Sequence, residues 1–475
     1  MRNTEKIWQL IDARKDAYEA LSDRIWETPE IAYGEFRSVA EHRAMLEQEG
    51  FRITENLAGI PTAVMGEAGD GGPVIAILGE YDALPGLSQI AGIAEPKEAV
   101  AGGHGHGCGH NMLGSAALLA ATAVKNHLAA QGIEGRVRYY GCPAEEGGAA
   151  KTFMVRAGHF DDVDIAITWH PSATNRVDDA MSLANTRVDF TFRGRASHAA
   201  AAPHLGRSAL DAVELMNVGV NYLREHMPSD ARIHYAMIDG GGVAPNVVQA
   251  RATVRYVIRA RELPGMRALI ERVKNVAKGA AMMTETAVDT TVVSAVSNLL
   301  GNTPLEEAMQ RHLEHLGPPP FDAADRKYAA EIQATLTAED IASAYARVGM
   351  APRRDAPLCD FIVPLGTKGA PMMASTDVGD VSWVVPTVQA RVATHAIGTP
   401  GHSWQITAQG KSGQAKKGLV HAAKVMAGVA ADALADPTLI VRAKTDHKAR
   451  TEVTPYDCPL PADATPPIQP RPTAG

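Results

Sequence analysis

The sequence predicts an α/β protein, a large domain with a mixed sheet flanked by helices and a smaller ferredoxin-like α+β unit inserted in it. Three observations predict this. Short apolar runs alternate with helix-length segments through the first part of the chain, as in sheets covered on both faces. Near Ala184 the order becomes strand, helix, strand, strand, helix, strand over about 110 residues. And 475 residues exceed what one core needs, at roughly 150 residues per domain.

Residues 5–50 read as two helices separated by the loop at Thr28 and Pro29. Residues 74–78 (VIAIL) form a buried strand that Gly79 ends, and 111–130 a small-residue helix behind a glycine-rich loop. Further strands are expected at 136–142 (RVRYYGC) and 164–169 (DIAITW). In the inserted unit, residues 188–192 are a strand and 208–223 a helix. Strands at 232–238 and 247–258 flank a GGGVAPN turn, before a helix at 263–283 and a strand at 286–294. Residues 303–350 read as a polar helical surface elaboration. The last twenty residues, rich in proline from Pro455 onward, read as an irregular or disordered tail. The implied division is a catalytic domain over 1–184 and 297–455, a dimerisation or lid domain over 185–296, and a tail over 456–475.

With 46 basic against 54 acidic residues, the net charge of −8 argues against a nucleic-acid binder. Four cysteines exclude a disulfide scaffold and fit a reducing compartment. The N-terminus is an amphipathic charged helix rather than a signal peptide. The longest apolar run, LGSAALLAATAV from Leu113, falls short of the roughly 30 Å needed to span a bilayer. A soluble cytoplasmic protein, with no nucleic-acid or membrane partner, is expected.

Chemistry concentrates at five places. In AGGHGHGCGHN (101–111) the glycines let the backbone fold tightly, and Cys108 and His110 are metal-ligand types one residue apart. A flexible solvated loop is the plainer alternative. In CPAEEGG (142–148) Glu145 and Glu146 repel each other unless a cation or proton separates them, although an exposed acidic turn has the same sequence. TWHP (168–171) places His170 after a strand, LGEYDALPG (78–86) does the same for Asp82, and GTPGHSWQ (398–405) holds His402. Most of these follow predicted strands or begin the next helix, and in an open α/β sheet those carboxyl ends share one edge. Cys, His, Glu, His and His suffice for two divalent cations.

EYDALPG, GHGCGHN, PAEEGG, TWHP, SHAAAAPHLGRSALDA, GGGVAPNVV and TPGHSWQ together, in this order, resemble the M20 metallopeptidase and amidohydrolase family over residues 15–430. The resemblance implies Cys108, His110, Glu146, His170 and His402 as ligands of two Mn or Zn ions per protomer. It implies Glu145 as catalytic base and Asp82 as a group orienting the site. Glu80 stands where other members carry a ligand histidine, which suits the cysteine-type branch. His395 rivals His402 but sits in a strand-like run. The family's second domain dimerises, and His198 resembles the histidine that enters the partner's active site. Asn246 and Arg259 match substrate-binding positions, though an arginine on a strand this rich in arginine could equally be solvated. The implied enzyme is a homodimer, with a related second subunit possible, that hydrolyses the amide bond of an N-acyl amino acid, an aminobenzoyl-glutamate-like compound being favoured. A different amide substrate is the alternative, and a non-catalytic role the remote one. His104, His106 and His204 take no role, and Cys142, Cys359 and Cys458 read as one buried and two incidental thiols.

Overall fold

The computed structural model describes residues 2–178, 180–353, 355–369 and 374–470. Its strands, in chain order, are β1 (Arg52–Glu55), β2 (Val64–Asp70), β3 (Val74–Glu80), β4 (Gly135–Cys142), β5 (Ile165–Ser172) and β6 (Arg176–Val177). There follow β7 (Ala184–Arg193), β8 (Arg232–Asp239), β9 (Arg251–Ala260), β10 (Ala287–Val296) and β11 (Thr387–Ala393). They make two sheets. The larger has the order β1-β2-β4-β3-β5-β11-β6, the smaller β10-β7-β9-β8.

The larger sheet is mixed. β4, β3, β5 and β11 run parallel at its centre, while β1, β2 and β6 pair antiparallel at its flanks. Every residue of β3 is buried, as expected where helices cover both faces. Ile75 and Ile77 face one core, which holds Leu118 and Leu119 of the helix His110–Gln131 and Val425 and Val429 of Gly413–Ala435. Ala76 and Leu78 face the other, with Tyr140, Phe153 and Val381. Parallel strands put all four carboxyl ends on one edge, which brings the segments after Glu80, Cys142, Ser172 and Ala393 together.

The smaller sheet is antiparallel. Its helices Ala209–Arg224 and Leu263–Thr284 cover one face, burying Phe190, Phe192, Val254 and Tyr256 against Val213, Met216 and Val273. The other face carries Asn185 and Arg187 of β7 and Arg259 of β9, all of which line the central cavity.

Several expectations need correction. The N-terminal region is three helices, Arg2–Asp12, Lys15–Glu27 and Phe36–Gln48, because the chain turns at Ala13 and Arg14. Gly79 does not end its strand, which continues through Glu80. It makes room for Tyr139, whose ring would lie 2.7 Å from a Cβ there. Residues 303–350 are not merely a surface addition, since the helix Thr303–Leu316 buries Leu305, Met309 and Leu313 in the main core. Gly413–Ala435, not the run from Leu113, is long and apolar enough to cross a membrane by length and composition. With 78% of its apolar window buried inside the protein, it packs as a core helix. Up to Pro470 the tail is irregular but docked. Leu460 joins the core, Arg156 donates to the carbonyls of Pro461 and Ala464, and Arg267 pairs with Asp457.

Candidate metal centre

The carboxyl edge of the parallel strands gathers the chemistry-bearing side chains. Cys108 ends the glycine-rich loop and His110 opens the next helix. Gly109 between them has φ +82°, and a Cβ there would meet the Met112 side chain at 2.8 Å and Pro171 at 3.1 Å. Only glycine satisfies both constraints, so the turn that presents Cys108 and His110 together depends on it.

Three overlapping groups of donor atoms form. Cys108 Sγ lies 3.3 Å from His170 Nε2, and with His110 these make the first. Cys108, Glu146 and His402 make the second, with His402 Nε2 3.3 Å from Glu146 Oε2. Glu80, His110 and Glu145 make the third, with His110 Nε2 3.3 Å from Glu80 Oε2 and 3.9 Å from Glu145 Oε2. Within each group the donor atoms lie within 4.8 Å of one another.

The residues fit divalent cations on their own evidence. His110 Nε2 and Glu146 Oε1 are buried without a hydrogen-bond partner, a costly state for a polar atom. Burial, reinforced by Glu146, pushes the Cys108 thiol up, so a nearby cation is what would favour its thiolate. Burial, then Glu80 and Glu146, raises Glu145 well above the usual carboxylate range. A soft thiolate with imidazoles and carboxylates is a donor set that suits Zn and, through its oxygens, Mn.

Behind these groups sits Asp82, fully buried. Its Oδ1 accepts from His110 Nδ1 at 2.9 Å and its Oδ2 from the Glu146 N–H at 2.9 Å. The first bond fixes the imidazole with Nε2 aimed at the site, the arrangement in which an outer carboxylate orients a histidine ligand. Burial alone would raise the Asp82 pKa, yet the His110 charge and hydrogen bonds hold it below the usual value.

His402 sits at φ +55° in its loop with its side chain 57% exposed, and is the wettest member of the site. His395 lines the cavity but lies outside the three donor groups; its Nδ1 is 3.0 Å from Thr394 Oγ1. Burial first, then Arg391, lowers its pKa to about 3.

Not every expected residue converges. Arg259 lines the cavity of about 680 Å³ that opens beside the site, 3.5 Å from Ser375 Oγ through its Nη1. His198 and Asn246 do not line it. Both are exposed on the smaller sheet's loops, where the Ala199 N–H donates to Asn246 O at 3.0 Å and His198 bridges to Val247.

Two residues beside the donor groups, Lys151 and Asp377, escape the sequence reading. Lys151 is buried between Glu80 Oε1 at 2.6 Å and Asp377 Oδ1 at 2.7 Å. Its one sequence signal is a lysine in the otherwise buried helix stretch AAKTFMV. Glu80, noticed only as a departure from a histidine, is thereby a neutralised carboxylate at the back of the site.

A model of the peptidase family M20/M25/M40 matches residues 76–338. The chain is 45% identical over 466 residues to the B subunit of p-aminobenzoyl-glutamate hydrolase from Escherichia coli (strain K12), covering 96% of this chain and 97% of the relative. It is 28% identical over 241 residues to the A subunit of the same hydrolase from the same organism, covering 49% and 54%. Among solved structures, a putative aminohydrolase from methicillin resistant Staphylococcus aureus superposes with a TM-score of 0.64 at 16% identity, over 91% of this chain and all of that one. That likeness shows the fold.

Proposed function

This chain belongs to the peptidase family M20/M25/M40, and from that premise we propose that it is a metal-dependent amidohydrolase cleaving the amide bond of an N-acyl amino acid. One observation carries the reading. Cys108, His110, Glu146, His170 and His402 turn their donor atoms toward one another around a buried imidazole nitrogen that makes no hydrogen bond. We assign these five as ligands of two divalent cations, Zn or Mn. The leading substrate class is aminobenzoyl-glutamate-like, supported by the 45% identical relative.

When bound, such cations lower the pKa of a water toward neutrality and polarise a carbonyl oxygen. The chain's residues do the rest. Glu145 lines the cavity beside the ligands, and its raised pKa suits a base working near neutral pH. It takes the proton of the attacking water and passes it to the leaving amide nitrogen. Asp82 holds the His110 ring in place throughout. Arg259, on the cavity wall, pairs with the carboxylate of the amino-acid part.

His198 and Asn246 act on a partner's cavity in this reading, since neither lines its own. Support comes from β8, the edge strand of the smaller sheet, which exposes Tyr235, Met237 and Ile238, and from the exposed Tyr222 and Val218 of the helix Ala209–Arg224 in the same unit. An apolar patch on an open sheet edge suits pairing with a second copy. A homodimer is therefore proposed. The likeness to both components of one hydrolase keeps assembly with a related second protein as the alternative. The corresponding division assigns 1–184 and 297–455 to catalysis, 185–296 to dimerisation and closure over the site, and 456–475 to the tail. The few cysteines, all unpaired, support a cytoplasmic location.

The test is hydrolysis of a panel of N-acyl amino acids and dipeptides by purified protein loaded with Mn or Zn, alongside Glu145→Ala. Turnover by that variant equal to the parent's would sink the mechanism.

A further inference from the structure

The cavity-facing side of the smaller sheet carries a charge pattern with a gap in it. Arg255 of β9 is matched by Asp189 of β7 in a two-pronged pair, Nε to Oδ1 at 2.7 Å and Nη2 to Oδ2 at 2.9 Å. Two residues back along β7 stands Arg187, which has no carboxylate within ion-pair distance among the described residues, although Glu146 and Glu145 act on it from farther off. Its Nη2 donates to the Glu146 carbonyl at 3.0 Å and its Nη1 to the Gly147 carbonyl at 3.4 Å, both neutral acceptors. Among the described residues Arg187 forms no ion pair, although it lines the cavity.

Register brings a second guanidinium near it. Asn185 is directly opposite Arg259 on the paired strands, and Arg187 opposite Val257, so Arg187 and Arg259 are diagonal neighbours on one face. Diagonal Cβ atoms across such a pair lie roughly 7 Å apart, within mutual reach of long side chains. Asn185, two residues before Arg187 and facing Arg259, keeps a buried Oδ1 without a hydrogen-bond partner. A wall with two adjacent guanidinia, one of them hydrogen-bonded to neutral carbonyls and offset only by the Glu146 and Glu145 charges beyond ion-pair distance, favours anions. The carbonyl bonds also fix the Arg187 fork beside the loop that carries Glu145 and Glu146, so the bound anion would sit close to the scissile amide.

We propose that Arg187 receives the side-chain carboxylate of an N-acyl dicarboxylic amino acid while Arg259 takes the α-carboxylate, an inference resting on the amide hydrolysis proposed for this site. Arg187 is then the residue that selects an acidic leaving amino acid over a neutral one of the same shape.

The test compares N-benzoyl-glutamate with N-benzoyl-glutamine in the parent, Arg187→Gln and Arg187→Lys. Each enzyme is scored by its own ratio of kcat/KM values, which is insensitive to the fraction of folded protein. The parent should favour the glutamate compound by about 10- to 100-fold, the range of one charge-assisted contact. Arg187→Gln should bring the ratio to about one through KM, and Arg187→Lys should restore part of it. A parent without preference, or an Arg187→Gln enzyme that keeps it, overturns the assignment. Calorimetric binding of glutarate against butyrate is the arm independent of turnover. Tighter glutarate binding lost in Arg187→Gln supports the site, and equal binding in parent and variant overturns it. Failure to cleave any N-acyl amino acid would sink the hydrolase reading, with the glutarate arm still deciding on Arg187.

Discussion

Lys151 Nζ lies 2.6 Å from Glu80 Oε1, and both side chains are buried. Asp377 completes the set from the opposite side, accepting from both Nζ at 2.7 Å and the Lys151 backbone N–H at 3.0 Å. The ammonium therefore serves two carboxylates at the back of the candidate metal centre. Removing it strands both in the interior, where breaking a buried ion pair costs about 3–5 kcal/mol. Lys151→Met, which keeps the volume of the side chain, should lose that much in urea unfolding. A loss below about 1 kcal/mol would show that the three groups do not depend on one another.

Acid should destabilise the fold through His42. Burial lowers its pKa from 6.5 to about 3, with Arg24 adding to the effect, and its Nδ1 shares a hydrogen bond with Tyr139 OH at 2.8 Å. Above pH 6.5 the ring is neutral whether the chain is folded or not, and its contribution is complete. Between 6.5 and about 3 only the unfolded chain takes the proton, so stability falls as pH falls, by about 1.4 kcal/mol per pH unit. His42→Gln, whose amide offers Tyr139 either a donor or an acceptor, should show an acid limb shallower by that slope in thermal melts from pH 7 to 4. An unchanged limb would place the acid sensitivity elsewhere.

Metal loading should be visible as stability. Ions that bind only the folded chain at a hundred times their Kd add about 2.7 kcal/mol. Titrating chelator-treated protein with Zn or Mn should therefore raise Tm, and elemental analysis should return about two ions per chain. Cys108→Ser should shift the Zn titration to higher concentration, because it replaces a soft thiolate with a neutral hydroxyl. An equal Tm with and without metal in the parent would contradict the assigned ligand set.

The placement of His198 makes a prediction about mixtures. If the proposed homodimer forms with His198 crossing over, His198→Ala and Glu145→Ala should each be inactive, yet a mixed dimer should have one cavity with an intact Glu145 and a His198 from its partner. Exchange between the two inactive proteins should restore up to about half of the activity of one site per dimer. Exchange demonstrated by mass spectrometry without any return of activity would rule the crossing out.

Local signals carried much of this site. Cys108, His110, Glu145, Glu146 and His402 stand in motifs beside a strand end or helix start, and His170 lies inside β5 rather than after it, two residues before its end, so their convergence was legible once the strands' carboxyl ends were read as one edge. The helix His110–Gln131 and the strand, helix, strand order after Ala184 were equally plain, because small residues and apolar alternation mark them. What escaped depends on partners distant in the chain. Asp377 meets Lys151 across 226 residues and Glu80 meets Lys151 across 71, and no periodicity records such a meeting. The docked tail escaped for a similar reason, since proline content speaks against regular structure but not against burial. Arg187 escaped because only the sheet register sets it beside Arg259 and away from the Arg255–Asp189 pair.

The two sheets differ in when their parts leave the ribosome. β7 to β10 emerge in one continuous stretch, from Ala184 to Val296, so the smaller sheet has all its strands early. The larger sheet waits. β5 can gain its parallel neighbour β11 only after Thr387 has been made, and His402 follows later still. Until then β5 is an unpaired edge in an unfinished core, the kind of surface that recruits strands from other chains. Synthesis that stalls within the helices of residues 303–347 would thus leave a sticky half-sheet beside a completed small one, and the donor set short of His402.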